Sequence, residues 1–300
     1  MRIKPNKKVG PVVRDQHRAG LIFVLMPMIL FLAFAVYPMI YASYLSLTDF
    51  SFTKAPSFVG FANFSRLIGD DIFRTAFINT TIYTLGVVPT SMVLALFLAL
   101  LLNQKIRGIT LFRIAFYMPV LTSSIVSGMI WLWMYAPGAG IINQLFESVG
   151  LPPQRWLFDP NLALISVMIM AIWKNLGYTM VIFLAALQGI PIHLYEASDI
   201  DGANFRNKLW SITLPLLKPA TFFVFVTSII SAFQVFGSVF VMTKGGPGYA
   251  TTTIVHQIYL NGFRYLRMGY ASAEAVILFV VIFALSLINW RFLRSDDEIW

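Results

Sequence analysis

The stretch FINTTIYTLGVVPTSMVLALFLALLL, residues 77–102, contains no charged side chain. An α-helix rises about 1.5 Å per residue, so about 20 apolar residues cross the roughly 30 Å hydrocarbon core of a bilayer. Residues 77–102 are therefore long and apolar enough to span a membrane. We predict a transmembrane helix here.

Five further stretches have the same character: 20–47, 109–134, 162–187, 220–242 and 272–293. The first is too long for the apolar region of a secretory signal peptide, so we interpret it as a retained span. The third contains Arg113 near its start and Pro119 inside it, so we expect it to begin nearer Ile114. The sequence predicts an all-α integral membrane protein with six transmembrane helices. Residues 20–294 form one membrane domain, between an N-terminal segment, 1–19, and a tail, 295–300.

The composition supports this fold class. Of the 300 residues, 58% are hydrophobic and 12% are charged, whereas soluble domains have about 25% charged residues. The net charge of +9 is not concentrated with aromatic residues in a soluble module, so we expect no nucleic-acid partner. The chain has no cysteine, which excludes disulfides, thiolate metal sites and cysteine nucleophiles.

The basic residues predict the orientation in the membrane. If the N-terminus is cytoplasmic, that side has 14 Lys and Arg residues: Arg2, Lys4, Lys7, Lys8, Arg14, Arg18, Lys105, Arg107, Arg113, Arg206, Lys208, Lys218, Arg291 and Arg294. The opposite side has 7: Lys54, Arg66, Arg74, Arg155, Lys244, Arg264 and Arg267. Because short cytoplasmic loops are enriched in Lys and Arg, both termini and the loop 189–219 are expected to be cytoplasmic.

That loop contains YEASDIDGANFRNKLWSITLPLLKP, residues 195–219. Pro191 and Pro215 bracket two short helical patterns, and Gly202 lies between them, where the chain must turn. We predict a helix–turn–helix. Three acids, Glu196, Asp199 and Asp201, lie on its first arm; Arg206 and Lys208 lie on its second.

Two interpretations of this loop are open. It could rest on lipid headgroups with its charges in water, but membrane-surface helices favour Lys and Arg over acids. A protein partner with basic groups fits three acids better.

The motif Glu196-Ala197-Ser198, Gly202 and Ile212-Thr213-Leu214-Pro215 resembles the cytoplasmic signature loop of ABC-importer permeases. Ser198 departs from the usual alanine. Other blocks resemble carbohydrate-type permeases: YASYLSLTDFS (41–51), FVGFANFSRLIGDDIFRTAFINT (58–80), RGITLFRIAFYMP (107–119), IWKNLGYTMVIFLAALQGIP (172–191) and TKGGPGYATTTIVHQIY (243–259). The chain is most similar to the first permease of the pair in the maltose and glycerol-phosphate permease family. It lacks the extra N-terminal spans and the large outer-loop insertion of the maltose member.

The resemblance implies a type I ABC importer in the plasma (inner) membrane of a bacterium or archaeon. The expected partners are a second homologous permease, two ATP-binding cassette ATPases, an extracellular or periplasmic solute-binding protein, membrane lipid and a carbohydrate. In that family the loop enters a cleft on the ATPase, where its Glu pairs with an Arg. The residues expected to couple to the ATPase are Glu196, Ala197, Asp201, Gly202 and Ala203. ATP and Mg²⁺ would be bound by the ATPases, and we expect no cofactor on this chain.

We expect no catalysis by this subunit. The sequence has no G-x-x-x-x-G-K-[ST], and GGPG at 245–248 is interpreted as a turn. His17, His193 and His256 lack metal-ligand spacing. The adjacent acids Asp70 and Asp71 should point apart or cap a helix.

Polar residues inside the spans are candidates for the solute path. Lys174, Asn175, Tyr178 and Thr179 lie in the fourth span; Ser228, Ser231, Gln234 and Ser238 recur along the fifth at helical spacing. Serines also tighten helix packing, so both roles remain open for them, whereas Lys174 is expected to pair or to line a pore. The resemblance favours Asn175, Tyr178, Ser228 and Gln234 as solute contacts. The candidate path is Lys174, Asn175, Tyr178, Ser228, Ser231 and Gln234.

A stand-alone secondary transporter or channel for a small polar solute is the alternative. It would need carboxylates for a coupling ion within the spans, and Glu274 is the only acid at a span's margin.

The orientation can be tested with single cysteines, because the natural chain has none. Cysteines at Asp70, Glu147 and Gly246 should react with an impermeant thiol reagent added outside, whereas one at Glu196 should react only after the membrane is opened. The 14-to-7 asymmetry of basic residues motivates this expectation. Labelling of position 196 from outside would overturn it.

Overall fold

The computed structural model describes residues 11–53, 55–104 and 107–294. The tail 295–300 and most of the segment 1–19 lie outside this part of the chain. So do six of the bases counted above: Arg2, Lys4, Lys7, Lys8, Lys54 and Lys105.

The described chain is helical, and its one β-bridge, between Thr48 and Phe58, is isolated. The helices are α1 (Pro11–Phe31), α2 (Tyr37–Leu45), α3 (Ala62–Ile68), α4 (Asp71–Leu102), α5 (Ile109–Leu121), α6 (Ser124–Met134), α7 (Ile141–Ser148), α8 (Pro160–Gln188), α9 (Ile192–Ile200), α10 (Phe205–Lys208), α11 (Leu214–Leu216), α12 (Lys218–Phe233), α13 (Gly237–Met242), α14 (Ile254–Tyr259) and α15 (Met268–Arg294). Three π-helical turns, Leu32–Val36, Leu209–Thr213 and Leu260–Arg264, join neighbouring helices.

Five described stretches are long and apolar enough to cross a bilayer: Ala19–Leu45, Asp71–Leu102, Pro160–Gln188, Lys218–Met242 and Met268–Asn289. They correspond to five of the six predicted spans. The sixth, predicted over 109–134, is a pair of helices, α5 and α6, bent by 102°. The all-α membrane fold is confirmed, and the count is six if the bent pair is one span.

Local polar groups account for the bend between α5 and α6. The Thr122 hydroxyl donates to the Pro119 carbonyl at 2.7 Å, and the Ser123 hydroxyl accepts from the Val126 amide at 3.2 Å. Ser123 thus caps a new helix in extended backbone, which ends the previous one.

The expected start near Ile114 is wrong, because α5 begins at Ile109. Arg113 does not need to leave the helix to find a polar partner. Its Nη2 donates to the Leu102 carbonyl at 2.8 Å, at the end of α4. A cation is favourable there because the last carbonyls of a helix lack partners within it.

Asp70 caps α4, as one of the two alternatives for this acid pair predicted. Its Oδ1 accepts from the Ile72 and Phe73 amides at 2.8 and 3.2 Å, and its Oδ2 accepts from the Tyr270 hydroxyl at 2.6 Å. Burial alone would raise the pKa of Asp70, but these hydrogen bonds and nearby Arg66 hold that pKa below its usual value. The contact joins the first turns of α4 and α15.

The core lies along α8, which packs against α4, α5 and α12. Small residues bring α4 close to α8: Ala95 and Ala99 are completely buried. At Gly177 the backbone of α5 lies against α8, and a Cβ there would overlap the Phe116 carbonyl. Small residues at such crossings are how membrane helices approach closely.

Gly177→Ala should therefore force α5 away from α8. Overpacking of a tight contact costs about 1–3 kcal/mol, and we expect a lower thermal unfolding temperature of the purified chain. Gly20→Ala in α1 is the control, since nothing lies within 4 Å of a Cβ at that position. Equal unfolding temperatures for the two variants would contradict the close crossing.

Candidate functional site

Two adjoining cavities lie among α4, α8 and the fifth span, α12 and α13. Their volumes are about 90 and 240 Å³. Tyr83, Asn175 and Ser231 line both of them, so the two cavities form one continuous polar surface, here called the polar wall.

The structure brings together all six residues of the candidate path. The smaller cavity is lined by Asn175, Tyr178, Ser228 and Ser231, and the larger one by Lys174, Asn175, Ser231 and Gln234. Their gathering on one wall follows from the packing of α12 beside α8. Their contact with a solute stays a prediction.

Much of this wall is open. Asn175, Ser231 and Gln234 are exposed, and 46% of Tyr178 is exposed, although these residues lie within spans. Amide and hydroxyl groups are costly to place against hydrocarbon without a hydrogen-bond partner. The polar wall therefore faces water or another protein chain rather than lipid tails.

Lys174 lies halfway along α8 and is half-buried. Among the residues the structure describes, its ammonium has no ion pair, and no carboxylate lines either cavity. Its neighbours across the larger cavity include Ser124 and Gln234. Of the two roles expected for Lys174, pairing within the described chain is not observed, and lining the wall is.

The fifth span is broken beside the larger cavity. α12 ends at Phe233 and α13 begins at Gly237. The Val235 carbonyl freed by the break accepts from the Thr253 hydroxyl at 3.1 Å. Broken helices are tolerated in membranes where protein or a water-filled cavity satisfies the backbone.

The break limits the predicted serine stripe. Ser228 and Ser231 lie on α12 and Gln234 directly follows it, so these three keep the helical spacing. Ser238 lies beyond the break and is buried. It still lines the larger cavity.

Thr179, named among the polar residues of the fourth span, also lines the smaller cavity. The sequence reasoning missed four polar lining residues: Tyr83, Ser91, Ser124 and Thr227. Tyr83 and Ser91 lie two turns apart on α4, and Ser91 Oγ is buried without a partner among the described residues. A polar stripe inside the otherwise apolar stretch 77–102 was the signal that could have found them.

The loop 189–219 has the predicted two-armed shape. α9 forms the first arm, and α10 with the π-helical turn Leu209–Thr213 forms the second. Gly202 adopts φ +72°, a conformation that side chains with a Cβ rarely take. A Cβ at Gly202 would meet nothing within 4 Å, so the turn, not crowding within the chain, requires glycine.

Three contacts stabilise the shape of the loop. Lys208 forms a salt bridge with Asp199 across the turn. The Tyr195 and Thr213 hydroxyls are 2.9 Å apart, which joins the two arms at their base. Asn204 Oδ1 accepts from the Asn207 amide at 2.9 Å and caps the second arm.

The remaining acids of the loop point outward. Glu196 and Asp201 are exposed and have no ion-pair partner among the described residues. Ala197 is exposed and Ala203 is half-buried. Ile200, 88% exposed, adds apolar surface to the same arm. The loop thus presents unpaired carboxylates and apolar side chains together.

The other polar candidates are structural. Residues 245–248 form part of a tight turn, and burial lowers the pKa of His256, whose Nδ1 is 3.1 Å from Thr252 Oγ1. Glu274 is buried and accepts from Asn261 Nδ2 at 3.0 Å. Within the described residues no group of His, Asp and Glu could hold a metal ion.

The sequence matches a known protein family and several of its members. The family described as "Binding-protein-dependent transport system inner membrane component" matches residues 88–294. The sn-glycerol-3-phosphate transport system permease protein UgpA of Agrobacterium fabrum is 36% identical over 271 residues, covering 89% of this chain and 92% of UgpA. The arabinooligosaccharides transport system permease protein AraP of Halalkalibacterium halodurans is 38% identical over 234 residues, covering 77% of this chain and 74% of AraP.

A solved structure has the same fold. One chain of a bacterial alginate ABC transporter, in complex with an alginate pentasaccharide-bound periplasmic protein, superposes with a TM-score of 0.84. It is 24% identical, and the match covers 95% of this chain and 98% of that chain.

Removing polar groups from the wall should change transport without preventing assembly. Lys174→Ala and Gln234→Ala are expected to alter the uptake rate or solute selectivity of the reconstituted transporter. Asn289→Ala is the control, because this amide lies in α15 and donates to its own helix at Leu285. If uptake were the same in all three variants, Lys174 and Gln234 would be reassigned to packing.

Proposed function

This chain belongs to the family of binding-protein-dependent transport system inner membrane components, and on that premise we propose that it forms half of the solute path in an ATP-driven carbohydrate importer. The observation that carries the proposal is the polar wall, an open surface of amides and hydroxyls at membrane depth. Such a surface within the membrane suits the passage of a polar solute.

The chemistry of the wall suits a sugar, an oligosaccharide or a related polyol. Asn175 and Gln234 offer both donors and acceptors, and Ser228 and Ser231 offer hydroxyls. The half-exposed ring of Tyr178 can pack against the apolar face of a sugar ring. The names of UgpA and AraP, which refer to glycerol phosphate and arabinooligosaccharides, support this substrate class.

A second, homologous permease would complete the path. The exposed side of the polar wall must be covered by protein or water. In addition, the most apolar part of the first span, Ala19–Leu45, buries none of its residues against the rest of the described chain. Both surfaces are available to a partner subunit, and the family's dependence on a binding protein supplies a third component.

Two ATPase subunits, which would hold ATP and Mg²⁺, are proposed to dock on the loop 189–219. The unpaired carboxylate of Glu196 can accept a charge-assisted hydrogen bond from an ATPase Arg. Asp201, Gly202, Ala197 and Ala203 would line the same contact. The importer would lie in the plasma membrane of a bacterium or archaeon, with this loop inside and the binding protein outside.

A stand-alone secondary transporter is not favoured. Such a protein would need a carboxylate for its coupling ion beside the solute. Glu274, the acid buried within a described span, lines neither cavity and is held by Asn261.

Reversing the charge at Glu196 tests the proposed coupling. Glu196→Lys should lower ATP hydrolysis stimulated by the loaded binding protein about 10-fold or more, because an attractive charged contact becomes repulsive. The measurement is ATPase activity of the purified complex, with recovery of the ATPase subunits in a pull-down. Glu147→Lys is the matched control, since Glu147 is an exposed acid at the other end of the bundle.

Gly202→Asp should also uncouple the complex, through a different cause. Aspartate at φ +72° is strained, and its side chain would project toward the docked ATPase. Because neither variant touches a span, both chains should insert normally. Wild-type stimulation in both would refute the assignment of this loop.

A further inference from the structure

The larger cavity of the polar wall lies where two broken spans meet. The fifth span is interrupted between Phe233 and Gly237, and the bent pair of α5 and α6 is interrupted between Leu121 and Ser124. A Cβ added at Gly237 would lie 3.4 Å from the Cβ of Ser124, and both residues line the cavity. Broken helices are tolerated at membrane depth where they line a water-filled cavity or are buried in protein. This part of the membrane domain is therefore suited to polar groups.

The cavity carries a positive charge. Among the described residues that line the two cavities, Lys174 is the only one with a charged side chain. The other polar groups on the larger cavity are hydroxyls and amides, from Tyr83, Ser124, Asn175, Ser231, Gln234 and Ser238. Within the described chain the Lys174 ammonium has no ion pair, so nothing there neutralises its charge.

An ammonium at this depth is costly. Lys174 lies halfway along the 29-residue helix α8, so about 21 Å of helix separates it from either end. Lysines near the ends of a span extend their ammonium groups to the membrane surface, but a lysine in the middle needs a partner or water. A neutral sugar needs only hydrogen bonds, which the amides and hydroxyls of the wall already offer. The lysine therefore indicates a negative charge that binds at this place.

The solute is a better source of that charge than a neighbouring subunit. The ammonium shares its cavity with Asn175, Ser231 and Gln234, which are proposed to contact the solute. The cavity of about 240 Å³ leaves room for a small group beside them. A carboxylate from a second permease at the same place would occupy the space through which the solute passes.

We propose that the imported carbohydrate carries an anionic group, a carboxylate or a phosphate, and that Lys174 binds this group in the larger cavity. This inference rests on the proposed carbohydrate importer. The Ser124 hydroxyl and the Gln234 amide donate further hydrogen bonds to the anion. The uncharged part of the solute lies along the smaller cavity, against Tyr178 and Ser228.

The charge of the cavity can be measured with thiol reagents, because the chain has no cysteine. Ser231→Cys places a thiol on the part of the wall that both cavities share. In the complete importer in nanodiscs, this thiol is reacted with two methanethiosulfonates of similar size, the anionic sulfonatoethyl reagent and the cationic trimethylammonioethyl reagent, and labelling of this chain is followed by mass spectrometry. Relative to a neutral thiol in solution, the anionic reagent should be favoured about 10-fold or more, because the ammonium attracts it and repels the cation.

Two variants of Lys174 assign the charge. Added to Ser231→Cys, Lys174→Gln should abolish the preference for the anionic reagent, and Lys174→Arg should retain it. Arg74→Gln is the matched control, since Arg74 is an exposed base on α4, nine residues and about 13 Å before Tyr83 of the cavity. At 0.1 M salt that separation exceeds the Debye length of about 10 Å, so the preference should not change.

Protection of the same thiol tests binding of the anion. Labelling by the uncharged methyl methanethiosulfonate is measured with glucuronate, glucose 6-phosphate or glucose present. The two anions should slow the reaction saturably, whereas glucose at the same concentration should not. Lys174→Gln should remove the protection.

Three results would overturn the proposal: equal reaction with the two charged reagents, no protection by either anion, or equal protection by glucose. If Lys174→Gln instead made the cationic reagent the faster one, Lys174 would pair with a carboxylate of another subunit, which also refutes it. Co-purification of the ATPases with the unmodified chain reports separately on the proposed function. Its failure would remove the importer, whereas an uncharged cavity in an intact complex would remove only the anionic solute.

Discussion

A polar group that lies in hydrocarbon without a hydrogen-bond partner costs free energy, and this cost constrains the whole structure. It makes the described chain helical wherever it is apolar, because a helix satisfies its own amides and carbonyls. It also decides where the helices stop. Arg113 reaches the last turn of α4, Asp70 caps its first turn, and the break after Phe233 occurs where Thr253 and a cavity receive the freed backbone. The same cost means that the exposed polar wall cannot face lipid.

A single helix, α12, connects the polar wall with the proposed ATPase contact. α12 has 16 residues and is about 24 Å long. It carries Ser228 and Ser231 near one end. Its other end begins at Lys218, where the loop that bears Glu196 ends. Within the loop, the Asp199–Lys208 salt bridge and the Tyr195–Thr213 contact join the two arms. A movement of the loop would therefore shift the polar wall, since a helix transmits displacement along its axis.

Different parts of the surface carry different chemistry. The loop 189–219 presents carboxylates and exposed apolar side chains, and the polar wall presents amides and hydroxyls. The loop suits contact with a basic protein surface, and the wall suits contact with the hydroxyls of a solute.

Local patterns in the sequence predicted five of the spans, the two-armed loop and six of the polar residues that line the wall. These depend on local properties: apolar length, proline and glycine positions, and the periodicity of polar residues on one helix. Three features depend on tertiary packing: the 102° bend between α5 and α6, the place of Tyr83 and Ser91 on the wall, and the contact between the rings of Phe236 and Tyr259. Phe236 and Tyr259 are far apart in the chain, and no period relates them. They meet where α14 packs against the broken fifth span, beside the hydrogen bond between Thr253 and Val235. Contacts between distant segments leave no local pattern in the sequence.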